Sequence, residues 1–217
     1  MSVLNSYENI LWDWNGTLLN DVNLCVTIVN EFLEHQNKTI LKKELYKSIF
    51  DFPIINYYKA AGLEFQDESF DDLTKKFIHK YNSNVLNQSL HNDAVNVLDF
   101  CKNKKQNQFI LTAAFEKDVH QFTTKFQISH YFKKIKGLTN YKAESKVLIG
   151  QNLVETENIN RKATVLIGDT THDFEVAQQL NVDCILIADG HQSREKLQQS
   201  TKPNTLILNS LKELINV

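Results

Sequence analysis

Short apolar runs recur along the chain, each bounded by polar or turn residues. Residues 9–13 (NILWD), 108–112 (QFILT), 164–168 (TVLIG) and 183–187 (DCILI) have the length and the Ile/Leu/Val content of strands buried on both faces. KIKGL at 134–138 is a shorter candidate, and LILN at 206–209 adds an edge strand. Helical spacing fills the intervals. Residues 92–104 (NDAVNVLDFCKNK) put Val95, Leu98 and Phe100–Cys101 on one face, and 116–127, 145–156 and 173–180 carry similar patterns. Strands alternating with helices predict an α/β unit with a parallel sheet covered on both faces.

The interval from about 20 to 88 breaks the alternation. It holds almost no strand-like run and reads as four helices, at 21–36, 41–49, 54–61 and 69–87. Phe50, Phe52, Tyr57, Tyr58, Phe65, Phe70, Phe77 and Tyr81 make it densely aromatic, and at helical spacing such a set reads as core packing. The expected organisation is therefore one α/β domain, 1–19 and 89–217, with a helical domain, 20–88, inserted after the first strand. No internal repeat or low-complexity tract interrupts it.

Composition narrows the function classes. With 217 residues and 42% hydrophobic content the chain can bury one core and a small second module. A formal net charge of −2, with only short basic clusters at 102–105 and 132–136, does not indicate a nucleic-acid partner. There is no run of about 18 apolar residues and no charged-then-apolar start, so neither a membrane span nor a signal peptide is expected. Cys25, Cys101 and Cys184 form no CxxC pair and read as reduced thiols of a cytoplasmic protein. A monomer is the expectation, since the chain can form its own core.

In an open α/β sheet, ligands sit beyond the carboxyl ends of the strands. The first run delivers Asp13 there, followed by Asn15, Gly16 and Thr17. The second delivers Thr112, then Ala113 and Ala114. The third leads into Gly168–Asp169–Thr170–Thr171–His172–Asp173. Lys146 opens the helix that follows KIKGL. Each has an ordinary explanation alone: a turn at Asn15–Gly16, a strand end at Thr112, helix caps at Asp169 and Asp173, a solvated Lys146. Together, Asp13, Asp169 and Asp173 crowd three negative charges at one edge, which repulsion disfavours unless a cation is present. A hard divalent ion, Mg2+ above all, resolves this, and Lys146 and Thr112 then supply donors for a bound phosphoryl group.

These residues resemble the motifs of the haloacid dehalogenase-like hydrolases. DWNGTL at 13–18 is similar to the first motif, usually DxDGT(L/V). ILT at 110–112 fits the second, Lys146 in ESKVLIG the third, with Lys142 a weaker rival, and GDTTHD at 168–173 the fourth. The helical insert resembles the C1-type cap of the phosphoglycolate phosphatase-like subgroup. The resemblance implies a Rossmann-like core and a phosphatase acting on a small phosphorylated metabolite. Asp13 would be the nucleophile. Mg2+ would be held by Asp13, the backbone carbonyl of Asn15, Asp169 and Asp173. Thr112, Ala113 and Lys146 would bind the phosphate, and the cap would close over the substrate.

Position 15 departs from that pattern. The second acid of the first motif usually protonates the leaving alcohol and then activates water, and an amide does neither. General acid–base help is worth roughly 10²–10⁴ in rate. The expectation is a slow enzyme, one rescued by another group such as His172, His191 or Asp51, or a pseudo-phosphatase that binds a phosphometabolite. A phosphonate-cleaving relative, which lacks this acid and uses a cap lysine (Lys43, Lys47 or Lys59 here), is a further alternative.

Overall fold

The computed structural model describes residues 2–66, 68–139 and 146–215. After a 3-10 turn at Val3–Ser6, β1 (Asn9–Trp12) enters the core, and β2 (Leu19–Asn20) follows a tight loop. Then come α1 (Val22–His35), α2 (Lys43–Ile49), α3 (Ile54–Ala61) and α4 (Phe70–Asn84), and β3 (Ser89–Leu90). The rest alternates: α5 (Ala94–Asn103), β4 (Asn107–Phe115), α6 (Glu116–Lys125), β5 (Lys134–Leu138), α7 (Val147–Thr156), β6 (Thr164–Gly168), α8 (Thr171–Leu180), β7 (Asp183–Ile187), α9 (Arg194–Ser200) and β8 (Leu206–Leu208).

Six strands form one sheet in the order β5–β4–β1–β6–β7–β8, and every pairing in it is parallel. Alternate residues of a strand face opposite sides, and the apolar runs use both. Ile10, Trp12, Ile110, Val165 and Ile167 join the larger core on one face, while Leu11, Phe109, Leu111 and Leu166 pack with α7 and α8 residues on the other. The chain leaves β1 toward β4 on one side and returns to β6 on the other. The carboxyl end of β1 is thus a topological switch point, where the diverging connections leave a crevice for a ligand.

Four differences from the sequence reading have local causes. β2 and β3 pair as an antiparallel ribbon, Leu19 with Leu90 and Asn20 with Ser89, where no strand was expected. Two residues per strand carry no readable period. The helix at 69–87 ends at Asn84 and tightens into a 3-10 turn at Val85–Asn87. In α5 the buried face is Ala94, Val97, Leu98 and Cys101, so Val95 is exposed. That i, i+3, i+4, i+7 set is the true apolar stripe. β4 continues past Thr112 to Phe115, with its register against β5 shifted between Leu111 and Phe115.

The helices α1–α4 lie between the two strands of the ribbon in sequence and touch the far side of the sheet. Lys47 Nζ donates to the Ala188 carbonyl at 2.9 Å, Ser193 N to the Lys47 carbonyl at 3.0 Å, and Gln192 Nε2 to the Phe50 carbonyl at 2.9 Å. The loop after β7 is therefore strapped to α2 and its C-terminal end. Among the described residues no helix is long and apolar enough to cross a membrane. Cys25, Cys101 and Cys184 are unbridged.

Candidate active site

Asp13 follows β1 directly, and its N–H donates to the Ile167 carbonyl at 2.8 Å, extending the ladder by one residue. The chain then turns sharply at Gly16, whose φ is +72°. A Cβ there would sit 2.3 Å from Asp169 Oδ2, so both the left-handed backbone and the close approach require glycine. Gly190 meets the same carboxylate from the other side, at 2.1 Å from its ideal Cβ position to Oδ2.

Asp169 is fully buried. Thr17 Oγ1 donates to its Oδ1 at 3.0 Å and His191 N to its Oδ2 at 2.6 Å. Thr170 caps α8, and Asp173 closes the capping box: its Oδ2 accepts from Thr170 N at 3.0 Å, Thr170 Oγ1 at 2.6 Å and Asp169 N at 3.2 Å. The helix-cap reading of Asp173 therefore holds for one oxygen only. Its other oxygen accepts from Lys146 Nζ at 2.6 Å, and Lys146 also bonds Asp13 Oδ1. Lys146 is at the N-cap of α7 and is buried, not solvated. Lys142 lies outside the described residues. Thr112 is buried too, and its hydroxyl accepts from Ala114 N at 3.1 Å, which leaves its proton for another acceptor.

The three carboxylates Asp13, Asp169 and Asp173 bring ligand oxygens within 4.8 Å of one another. Burial, and repulsion from Asp173 and Asp169, push Asp13 up to about 8 against the pull of Lys146. Asp169 rises to about 6 for the same two reasons, with His191 opposing. Burial would raise Asp173 as well, but Lys146 and the Thr170 hydroxyl hold it below the usual range. Burial alone would lower Lys146; Asp13 and Asp173 outweigh it and hold the ammonium high. Three acids against one ammonium leave negative charge uncompensated, and an all-oxygen donor set of this kind suits a hard divalent cation.

Asn15 is not idle beside this cluster. Its Nδ2 donates to Asp21 Oδ2 at 2.7 Å and to Tyr81 Oη at 2.6 Å, and Tyr81 donates to the same Asp21 oxygen at 2.7 Å. Asp21 Oδ1 accepts from Gly16 N at 2.9 Å and lies 3.2 Å from His191 Nε2. His191 Nδ1 lies 2.7 Å from the Tyr46 hydroxyl. Burial works against the ionised Asp21, but His191, Asn15 and Tyr81 together keep its carboxyl below the usual range. His191, which burial would discharge, is raised by Asp21, Asp169 and Asp13.

Asp13, Asn15, Lys146, Thr112, Ala113, Asp169 and Asp173 all line one cavity. The other rescue candidates fare differently. Burial and Lys146 lower His172, contrary to the expectation that an anionic neighbourhood would raise it. Asp51 is half-exposed, pairs with Lys196 at 3.0 Å and does not line the cavity. Neither do Lys43, Lys47 and Lys59. Sequence reasoning missed Asp21, Tyr81 and Tyr46. Asp21 reads as the N-cap of α1, yet its side chain makes no cap bond, because the carboxylate turns to Gly16 and Asn15.

Residues 10–187 match the family model described as haloacid dehalogenase-like hydrolase, and the chain belongs to that family. No curated protein matches it. Among solved structures it is similar to a predicted phosphatase from Clostridium acetobutylicum, with 18% identity, TM-score 0.77 and 96% of each chain covered. It is also similar to a predicted phosphoglycolate phosphatase from Haemophilus somnus, with 19% identity, TM-score 0.71 and 94% of this chain and 95% of that one covered. A third similar structure is protein tyrosine kinase A of Mycobacterium tuberculosis, with 17% identity, TM-score 0.79 and 96% of each covered. A phosphatase name and a kinase name on one fold show that likeness at this level fixes the fold, while activity must be argued from the site.

Proposed function

We propose that the chain is an Mg2+-dependent phosphomonoesterase that works through an aspartyl-phosphate on Asp13. The observation that carries this reading is the convergence of Asp13, Asp169 and Asp173 with Lys146 reaching both Asp13 and Asp173. Asp13, Asp169, Asp173 and the backbone carbonyl of Asn15 would hold the ion, which supplies charge neutralisation between the carboxylates and a phosphate dianion. Asp13 Oδ attacks phosphorus, the bond to the leaving oxygen breaks, and water then releases phosphate from the acyl-phosphate. Lys146, the Thr112 hydroxyl and the Ala113 N–H bind the phosphate oxygens. The unit 20–88 acts as a cap that excludes water.

Among the described residues, neither Asn15 nor His191 has a proton free to replace that of the missing acid. The Asn15 NH2 is committed to Asp21 and Tyr81, and both ring nitrogens of His191 are engaged. Turnover of esters with poor leaving groups is therefore slowed by roughly 10²–10⁴ relative to an enzyme with an acid at this position. The same observation favours a second reading, a phosphometabolite-binding protein that keeps the site and has lost efficient turnover. The phosphonate-cleaving alternative lacks support, because Lys146 is the one lysine lining the cavity among the described residues.

The test is hydrolysis of p-nitrophenyl phosphate with and without Mg2+ by the native chain, Asp13→Asn and Asn15→Asp. The expected result is Mg2+-dependent turnover that Asp13→Asn reduces by roughly 10³-fold or more. A single equivalent of p-nitrophenol followed by no turnover supports the binding-protein reading. Turnover that survives in Asp13→Asn removes the phosphatase mechanism.

A further inference from the structure

The loop after β7 carries a fully buried side chain that the proposed chemistry does not use, Gln192. It does not line the cavity, so it does not touch a substrate bound there. Its carboxamide is nonetheless engaged at both ends. Oε1 accepts from Thr171 N at 2.7 Å, while Nε2 donates to the Phe50 carbonyl at 2.9 Å and to Thr171 Oγ1 at 3.3 Å.

The two backbone groups it meets are of opposite kinds. Thr171 is the first residue of α8, and the N–H groups of a helix's first turn have no partner within the helix. Phe50 is the C-cap of α2, where carbonyls are left over in the same way. A carboxamide carries an acceptor and N–H donors side by side, so it closes both helix ends at once. An ionised acid, an ammonium or an apolar chain does not.

What stands behind each end gives the bond its consequence. Thr171 lies in the short stretch between Asp169 and Asp173, which supply two of the three clustered carboxylates. Phe50 and Phe52 line the cavity from the 20–88 unit, and their rings meet His191 at 4.9 Å and His172 at 5.0 Å between centroids. The neighbouring bonds, Lys47 Nζ to the Ala188 carbonyl and Ser193 N to the Lys47 carbonyl, tie α2 to the loop but do not reach α8. We infer that Gln192 is a positioning residue: it registers the cavity wall at the end of α2 against the start of α8, and so against the Asp169 and Asp173 carboxylates. For its effect on turnover this rests on the phosphatase reading.

Two substitutions cut the bond at different ends. Gln192→Glu at about pH 8 keeps an acceptor for Thr171 N, and the N-terminus of α8 favours its charge. It sets an oxygen instead of a donor against the Phe50 carbonyl. Gln192→Met has a similar length and abandons both ends. Amide exchange read by mass spectrometry and Mg2+ binding read by calorimetry are compared for the native chain and both variants, followed by KM and kcat for p-nitrophenyl phosphate. In Gln192→Glu, exchange over 43–52 should quicken roughly tenfold or more, while exchange over 171–180 and Mg2+ affinity stay within about threefold of native. KM should rise roughly threefold or more, with kcat within about threefold of native. In Gln192→Met, exchange over 171–180 should quicken too, and Mg2+ should bind roughly fivefold or more weakly.

Unchanged exchange over 43–52 in Gln192→Glu overturns the inference. So does identical behaviour of the two variants, which would make Gln192 a packing residue alone. A fall in kcat of roughly 10²-fold with KM unchanged also overturns it, by moving the effect onto the chemistry. Should Gln192→Met fail to fold, the Gln192→Glu result decides by itself. An inert native chain would remove the phosphatase reading, and the exchange contrast would still decide whether Gln192 registers the two helix ends.

Discussion

Two buried clusters meet at the carboxyl end of β1, and they are balanced in opposite ways. On one side Asp13, Asp169 and Asp173 face a single ammonium, and two of the three are pushed toward protonation. On the other side Asp21 faces His191, with Asn15, Gly16 N–H and Tyr81 as neutral donors, and its carboxyl is held ionised. Asp21, Cys25 and His191 also bring potential ligand atoms within 4.8 Å of one another. Proximity alone does not tell the clusters apart; the hydrogen-bond inventory does. The Asp21 cluster satisfies its charge internally, so a cation there would have to displace a buried ion pair. The Asp13 cluster carries more carboxylates than Lys146, the one lysine in it among the described residues, can balance. Seen this way, the amide at position 15 belongs to the balanced cluster. It is one of the donors that, with His191 first and Tyr81 beside it, keep Asp21 ionised beside the catalytic carboxylates.

The sharpest way to break this division is to move charge across it. Asp21→Asn strips the buried His191 of its counter-ion and should cost about 3 kcal/mol at neutral pH, the low end for a broken buried pair because histidine can release its proton. Asn15→Asp puts a second carboxyl within about 3 Å of Asp21 in place of a donor, and should cost about 1–3 kcal/mol. The double exchange Asn15→Asp/Asp21→Asn restores one donor facing one acceptor. It should be more stable than the sum of the single changes by about 1–2 kcal/mol in urea denaturation. Strict additivity would show that positions 15 and 21 are independent, and the amide would then be only a lost acid.

Metal and pH sharpen the same contrast with a somewhat smaller effect. Asp13 and Asp169, raised to about 8 and about 6, keep protons in the folded chain that the unfolded chain releases at ordinary carboxylate pKa values. The folded state thus binds more protons between about pH 4 and pH 8, so stability of the metal-free chain falls as pH rises through that window. His191, raised from its ordinary value, adds a loss of the same sign as pH passes above the imidazole range. Mg2+ favours the ionised carboxylates, so near-saturating Mg2+ should raise Tm by about 5 °C or more at about pH 8 and by less at about pH 5. Asp169→Asn should lose this response and Asp21→Asn should keep it. An Mg2+ shift that disappears in Asp21→Asn and survives in Asp169→Asn would reverse the assignment of the two clusters.

The unequal balance also explains which parts were legible in the sequence. β5, β6 and β7 coincide with the runs 134–138, 164–168 and 183–187; β6, buried along its whole length, leaves the contiguous apolar signal, while the edge strand β5 shows only Ile135, Gly137 and Leu138 between its lysines. Asp13, Lys146, Asp169 and Asp173 were readable because each sits at the end or start of such an element, and Thr112 because the apolar run of β4 stops there although the strand goes on to Phe115; topology brings them together. Asp21, Tyr81 and Tyr46 were not. They come from α1, α4 and α2, and only the docking of helices against the loop after β7 brings them to Asn15 and His191. The ordinary explanations of Lys146 and Asp173 each failed on one atom: an ammonium with no solvent, and a carboxylate oxygen that the helix cap leaves over. The cavity was hidden for a related reason, since an aromatic residue at helical spacing has one sequence signature whether its ring meets another ring or an empty chamber.

The smallest change reaches the balanced cluster from the cap alone. Tyr81 lies on α4, stacks on Phe77 at 5.9 Å between ring centroids, and its hydroxyl bonds Asn15 and Asp21. Tyr81→Phe keeps the ring and removes the hydroxyl. Asp21 keeps Asn15, Gly16 N–H and His191, and Asn15 keeps Asp21, so no charge is stranded and the cost should be about 1 kcal/mol. The kinetic consequence should be confined as well. If the hydroxyl serves to hold the Asn15 amide and the cap in register, Tyr81→Phe should raise KM for p-nitrophenyl phosphate a few-fold and leave kcat within about threefold of native. A loss of kcat as large as roughly 10²-fold would give the tyrosine proton a part in the chemistry. The network around Asp21 would then be working on the reaction, instead of holding the amide that stands where an acid is usual.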